Sequence, residues 1–108
     1  MRKFIVILKN KRQGELSPDL LNRHVDHLRK LDKMGKLFLC GPFKDNNAAI
    51  QILAADSYDE AKCWVEQDPF VEERYYQTYD LNEIIEANEQ NNWLKDASQT
   101  IGNLSVKE

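Results

Sequence analysis

A chain of 108 residues is long enough for one domain with a modest core, and 42% apolar with 31% charged residues is typical of a soluble globular domain. The net charge of −3 argues against non-specific nucleic-acid binding, and the absence of a run of about 18 apolar residues argues against a membrane span. Cys40 and Cys63 lack the spacing of a disulfide framework or zinc site, so we expect small buried thiols in a cytoplasmic protein.

The hydrophobic pattern predicts six elements in chain order. They are a strand at 4–8, a helix at 18–34, a strand at 36–40, a strand at 48–55, a helix from Ser57 to Asp68, and a strand at 75–81. The first strand is a continuous apolar run, which predicts burial on both faces. Ser17 followed by Pro18 is a good helix start, and Gly35 suits the helix end. Ser57 and Glu60 have the spacing of a capping box.

The order βαββαβ predicts an α+β, ferredoxin-like fold, in which a four-stranded antiparallel sheet carries two helices on one face. The second and third strands read as an antiparallel hairpin. Because the helices cover one face while the first three strands are apolar on both, the second face needs a partner. We therefore predict a homodimer whose sheets pack face to face.

The composition shifts after Asn82, which predicts a folded domain at 1–82 and a C-terminal extension at 83–108. Residues 83–94 have the pattern of an amphipathic helix, and residues 97–108 are mostly polar and are expected to fray. Two interpretations of the extension stay open. It is either a surface helix or dimer strap, or a lid over a pocket.

His24 lies near the centre of the apolar stripe of the first helix, at about 100° per residue. The apolar members of the stripe are Leu20, Leu21, Val25, Leu28, Leu31 and Met34. An imidazole that titrates near neutral pH stands where leucine would pack more easily, so it is either a core His satisfied by one hydrogen bond or a functional His. His27 has a spacing that suits a metal pair, but only acidic residues offer a third ligand at helical spacing, and we expect no metal.

Asp68 ends the second helix, because Pro69 prevents its simple continuation. The two helices of this fold lie side by side, so an Asp at the end of one can reach a core-facing His24 on the other. A carboxylate beside an imidazole fixes its tautomer and favours its protonated form, which is the minimal machinery for acid–base chemistry. The alternative is that Asp68 is an ordinary helix-end or turn residue.

Further candidate binding residues lie close to this pair in the sequence or at a strand end. Gly41 and Pro42 close the second strand, where a ligand can approach the backbone, although a plain turn explains them equally well. Arg23 flanks His24 and is a candidate contact for an anionic substrate, or else an exposed arginine. Phe70 follows Asp68 and Pro69 and completes the set.

The chain resembles the YciI-like (YCII-related) family over residues 4–81. The motifs that carry this resemblance are, in order, Arg23-His24, Leu28, Leu31, Gly35-Lys36-Leu37, Gly41-Pro42, Ser57 with Glu60-Ala61, and Asp68-Pro69-Phe70-Val71. The resemblance implies a dimeric α+β barrel and a pocket with a His–Asp pair, which maps onto His24 and Asp68. Most members have no known reaction, whereas a minority resemble dehydrochlorinases or muconolactone-isomerase-like enzymes that handle small cyclic or aromatic acids without a metal or organic cofactor. The segment before the first helix and the longer tail depart from the family pattern.

Three hypotheses follow for a protein whose partner is a small molecule rather than nucleic acid or membrane. The first is a cofactor-free lyase or isomerase in which His24, oriented by Asp68, is general acid and base on a small organic acid, cyclic acids included. Its substrate contacts are Arg23, Gly41, Pro42 and Phe70. The second is a non-catalytic dimer that binds a small acidic metabolite. In the third, His24 and Asp68 only make a hydrogen bond in the core of a structural dimer.

Overall fold

The computed structural model of the protein describes residues 1–45 and 47–96. Its elements are β1 (Arg2–Lys11), α1 (Pro18–Lys33), β2 (Leu37–Pro42), β3 (Ala49–Ala55), α2 (Tyr58–Gln67), α3 (Pro69–Glu72), β4 (Tyr76–Ile84) and a 3₁₀ helix (Glu89–Leu94). The strands form one four-stranded sheet in the order β2-β3-β1-β4, and every pairing is antiparallel. The predicted ferredoxin-like α+β fold and the β2–β3 hairpin are confirmed.

The helix ends follow the local sequence. The Ser17 hydroxyl accepts a hydrogen bond from the Leu20 backbone N–H at 3.1 Å, and Gly35 after α1 has a φ of 72°, which favours glycine. The Ser57 hydroxyl caps α2 by accepting from the Glu60 N–H at 3.0 Å. The Glu60 carboxylate bonds to other groups rather than to the Ser57 N–H, so only one half of the predicted capping box forms.

The core lies between the sheet and the helices. Phe4, Val6 and Leu8 alternate along β1 and point into it, as the period of two in a strand requires. Further buried members are Leu20 and Leu31 of α1, Leu53 of β3, Ala61 and Val65 of α2, Phe70, and Leu81 of β4. The first strand was predicted to be buried on both faces, but Ile5 and Ile7 are only half-buried on the opposite side of the sheet.

The opposite face of the sheet is apolar and carries no helix within the described part of the chain. Its apolar side chains come from three strands and include Ile5, Ile7, Leu39, Ile50 and Ile52. Leu39 is 54% exposed and its neighbour Phe38 is 57% exposed.

Three predicted strands are too short, and the first of them, β1, spans Arg2–Lys11 rather than 4–8. β2 continues through Gly41 and Pro42, which pair with Ile50 and Ala49 of β3, rather than ending before them. Proline is tolerated there because β2 lies at the edge of the sheet. β4 extends to Ile84, since β1 begins at Arg2 and offers partners for the additional residues.

The amphipathic helix predicted at 83–94 is not formed. Its first residues belong to β4, and only Glu89–Leu94 is helical, as a 3₁₀ helix capped by the Asn88 side chain. The prediction for residues 97–108 lies outside the described residues.

Both cysteines are exposed, contrary to the prediction of buried thiols. Cys40 lies on the edge strand β2, and Cys63 lies on α2 between Ala61 and Val65, whose side chains face the core. Residues two apart on a helix do not share a face, so Cys63 points away from the core. Across residues 1–45 and 47–96, no helix combines the length and apolar character needed to cross a membrane.

Candidate functional site

A cavity of about 390 Å³ lies between α1, the segment that follows α2, and one end of the sheet. Its wall is mainly apolar and is formed by Leu8, Leu16, Leu21, His24, Val25, Leu28, Cys40, Gly41, Pro42, Ala49, Ile50, Gln51, Phe70, Tyr75 and Tyr76. None of the wall residues found in the described segments is Lys, Arg, Asp or Glu. The polar wall groups are the imidazole, one amide, the thiol and two phenols.

His24 and Asp68 meet beside this cavity. The imidazole Nδ1 lies 2.7 Å from Asp68 Oδ1, and the carboxylate is completely buried. Asp68 is both the last cap of α2 and the first cap of α3, where its Oδ1 also accepts the Phe70 backbone N–H at 2.9 Å. Pro69 disfavours helical backbone at Asp68, whose ψ is 123°, and this break turns the carboxylate toward α1.

A third side chain completes the network. Gln51, on the helix-facing side of β3, donates its amide Nε2–H to Asp68 Oδ2 at 2.9 Å. Asp68 therefore accepts hydrogen bonds from an imidazole, an amide and a backbone N–H, which compensates for the burial of its charge. Gln51 is not among the site residues predicted from the sequence, although a polar residue at the centre of the apolar strand Ala49–Ala55 was an available signal.

Aromatic packing fixes the plane of the imidazole. The rings of His24 and Phe70 stack with centroids 3.7 Å apart and an interplanar angle of 6°. Tyr75 and Tyr76 pack against Phe70 in turn, with centroid distances of 4.7 and 5.9 Å. The predicted site residue Phe70 thus contacts the catalytic candidate as well as the cavity.

The tautomer of His24 follows from its partner. Because an ionised carboxylate can only accept hydrogen bonds, Nδ1 must carry the proton that Asp68 receives. Nε2 is then the acceptor nitrogen, and no side chain of residues 1–45 or 47–96 bonds to it. His24 lines the cavity, and an imidazole paired in this way with a buried carboxylate is an arrangement suited to acid–base chemistry.

The apolar stripe of α1 divides into two parts. Leu20 and Leu31 are buried in the core, whereas Leu21, Val25 and Leu28 line the cavity. Leu21 is 41% exposed and Met34 is 46% exposed, so the predicted stripe is broader than the packed face. The apolar stripe correctly predicted that His24 has apolar neighbours. It did not distinguish residues of the packed core from residues that line a cavity.

His27 is more buried than His24 and faces α2 rather than the cavity. Burial lowers its pKa from 6.5, because the charged imidazolium loses its hydration, and the negative charge of Asp68 opposes this shift. No group of three or more His, Cys, Asp or Glu side chains that could hold a metal ion occurs among the described residues.

The remaining predicted site residues differ in where they lie. Gly41 and Pro42 line the cavity, and a Cβ at Gly41 would meet no atom within 4 Å. Arg23 does not line the cavity, because its guanidinium is held by the carboxylates of Asp19 and Glu73. The structure brings together His24, Asp68, Gly41, Pro42 and Phe70, and leaves Arg23 outside.

Comparison with known proteins agrees with this architecture. A solved structure of 5-chloro-2-hydroxyhydroquinone dehydrochlorinase from Burkholderia phenoliruptrix, in complex with 2,5-dihydroxybenzoquinone, is similar to this chain with a TM-score of 0.58 and 23% sequence identity. The match covers 82% of this chain and 99% of that chain, and at this identity it shows a common fold. No functionally curated protein matches the chain. The YCII-related domain matches residues 3–85, and the chain therefore belongs to the YCII-related family.

Proposed function

We propose that this protein is a small-molecule enzyme of the lyase or isomerase type, which acts on a small, cyclic organic acid by acid–base chemistry at His24. One observation carries the proposal. A fully buried carboxylate, Asp68, holds the Nδ1 of His24 at 2.7 Å, and the same imidazole lines a cavity of about 390 Å³. These side chains can carry out proton transfer by themselves, so no cofactor is part of the proposal.

In the proposed reaction, His24 Nε2 removes a proton from a substrate bound in the cavity. The electron pair of the broken bond then either expels a leaving group, which takes the proton from His24 as it departs, giving a lyase, or shifts so that His24 returns the same proton to another atom, giving an isomerase. Asp68 stabilises the imidazolium while His24 carries the proton. A positioned acid–base group typically contributes about 10²–10⁴-fold to the rate.

The cavity limits the substrate. A volume of about 390 Å³ lies at the lower end of the roughly 300–1,000 Å³ typical of ligand sites, which fits a single ring better than a chain with several groups. Apolar walls and the flat face of Phe70 also favour a ring. The fixed cation nearest in sequence, Arg23, lies outside the cavity and does not balance the charge of an acidic substrate. The similar structure is a complex with a ring compound, 2,5-dihydroxybenzoquinone, which supports the same substrate class.

We also propose that the protein acts as a homodimer in the cytoplasm. The apolar sheet face with Leu39 and Phe38 more than half exposed supports a face-to-face contact with a second copy. Free thiols at Cys40 and Cys63 support a reducing compartment. We expect sedimentation equilibrium to give twice the chain mass for the native protein and a monomer for Leu39→Lys. A monomeric native chain would contradict the dimer.

The proposed reaction is tested by replacing His24. We expect native protein to convert a member of a panel of small cyclic organic acids, followed by ultraviolet absorbance, and His24→Gln to lower kcat by about 10²–10⁴-fold. Asp68→Asn should also lower kcat, because an amide no longer stabilises the imidazolium. Lys33→Gln, on the exposed end of the same helix, is the matched control and should retain the native rate.

The competing hypotheses give different results in the same experiment. Turnover that survives His24→Gln in a folded protein contradicts the acid–base mechanism. Saturable binding without turnover, lost in His24→Gln, supports the metabolite-binding dimer. A change in His24→Gln that affects only the denaturation midpoint supports the structural hypothesis.

A further inference from the structure

Gln51 is a polar group of the cavity wall that the His24–Asp68 pair leaves partly unused. It lies at the centre of β3 and is only 2% exposed. Its Nε2 donates to Asp68, but its carbonyl oxygen Oε1 is buried and receives no hydrogen bond from the segments 1–45 and 47–96. Most buried polar atoms in proteins have a partner, so this oxygen requires an explanation.

The orientation of the amide is fixed by its neighbour. The Asp68 carboxylate offers only acceptors, so a rotation of the Gln51 amide by half a turn would place two acceptor oxygens against each other. Oε1 is therefore held on the side away from Asp68. A flip of the Gln51 amide therefore does not give Oε1 a hydrogen-bond partner.

The approach to Oε1 is also restricted. Val6 on β1 and Cys40 on β2 are the cross-strand partners of Gln51 and occupy its two sides on the sheet. Asp68 occupies the position in front of Nε2. The remaining side is the cavity, whose wall includes Gln51, Cys40 and His24. Because Gln51 is part of the cavity wall and Oε1 is buried, a molecule inside the cavity is the candidate donor for Oε1, which it reaches after a small movement of the Gln51 side chain.

We propose that Gln51 is a specificity residue whose Oε1 accepts a hydrogen bond from a hydroxyl or N–H group of the ligand. The ligand then carries two polar substituents on an otherwise apolar ring, one directed at His24 Nε2 and one at Gln51. This inference rests on the proposed function, because it takes the same cavity to be the substrate site. It adds that the substrate class contains hydrogen-bond donors and that fully alkylated rings are rejected.

The test compares ligands that differ by one donor. The probes are the three dihydroxybenzenes and their monomethyl ethers, which are uncharged near neutral pH, with binding measured by anaerobic calorimetry. For the dihydroxybenzene that binds most tightly, we expect its monomethyl ether to bind about tenfold more weakly to the native protein, as expected for one neutral hydrogen bond. In Gln51→Met, which keeps an unbranched side chain of similar length, the two ligands should bind within about twofold of each other.

A measurement on the native chain avoids any dependence on the variant's folding. We expect the side-chain carbonyl ¹³C resonance of Gln51 to move downfield when the dihydroxybenzene is added and to move less with its monomethyl ether. The inference is overturned if the native protein binds none of the dihydroxybenzenes or binds both members of each pair equally. It is also overturned if folded Gln51→Met keeps the native preference.

These outcomes separate the inference from the proposed function. Turnover of cyclic acids that requires His24, without any donor preference, would refute the role of Gln51 and leave the acid–base proposal standing. A donor preference that requires Gln51, together with turnover that survives His24→Gln, would refute the acid–base mechanism alone.

Discussion

The layer between the sheet and the helices is packed solid at one end and hollow at the other. Leu31 of α1 is completely buried in the packed half with Leu53 and Val65. One turn earlier on the same helix, Leu28 lines a cavity of about 390 Å³ instead. Both leucines belong to one apolar stripe, so the same local pattern produces a core in one half and a ligand-sized space in the other.

The difference originates in the residues opposite the helix. In the packed half, α2 places Ala61 and Val65 on the sheet. In the hollow half, α2 has already ended at Asp68, and the chain turns back toward α1 through Pro69. Protein interiors are normally filled to high density, so an apolar space of this size beside the His24–Asp68 pair supports the proposed ligand site.

The largest expected effect comes from replacing leucine by alanine, once in the packed half and once in the hollow half. Leu31→Ala should lower the free energy of unfolding by about 2–5 kcal/mol, because it opens a new void in packed surroundings. Leu28→Ala should cost less than about 1.5 kcal/mol, because its side chain is already half-exposed beside a cavity. Urea denaturation measures both values.

Asp26→Ala on the exposed side of the same helix controls for the change in helix propensity, and we expect it to lie within about 0.5 kcal/mol of the native protein. Equal losses for Leu31→Ala and Leu28→Ala would contradict the division into halves. They would mean that the cavity is filled by side chains in solution.

The sequence was sufficient for the fold because its signals are local and mutually consistent. Alternating or continuous apolar runs, the Ser17 and Ser57 caps, and Gly35 after α1 predicted the order of elements. Strand ends were less predictable, because they depend on partners elsewhere in the chain. β4 reaches Ile84 because β1 starts at Arg2, so that Lys3 is available to pair with Ile84.

The candidate site was predicted only in part, because local signals point to some of its residues and not to others. His24 was visible as a titratable group in an apolar stripe, and Asp68 as the residue before a helix-breaking proline. Gln51 was visible as a polar residue in an apolar strand, but its contact with Asp68, 17 residues away in the chain, became apparent only in the folded structure. The position of Arg23 outside the cavity was also not predictable, since it depends on the attraction of Glu73, which is close only in the folded chain.

A smaller expected effect concerns how the stability of the protein depends on pH. His27 faces α2, and burial lowers its pKa from 6.5, with Lys30 and His24 acting in the same direction and Asp68 opposing them. Below about pH 6.5 the unfolded chain binds a proton that the folded chain excludes at His27, so stability falls as the pH drops from there toward the lowered folded pKa. His27→Gln should reduce this loss when urea midpoints at about pH 7.5 and 5.5 are compared. An unchanged loss in the variant would show that His27 is not held neutral by its burial, and that the pH response arises from other titratable groups.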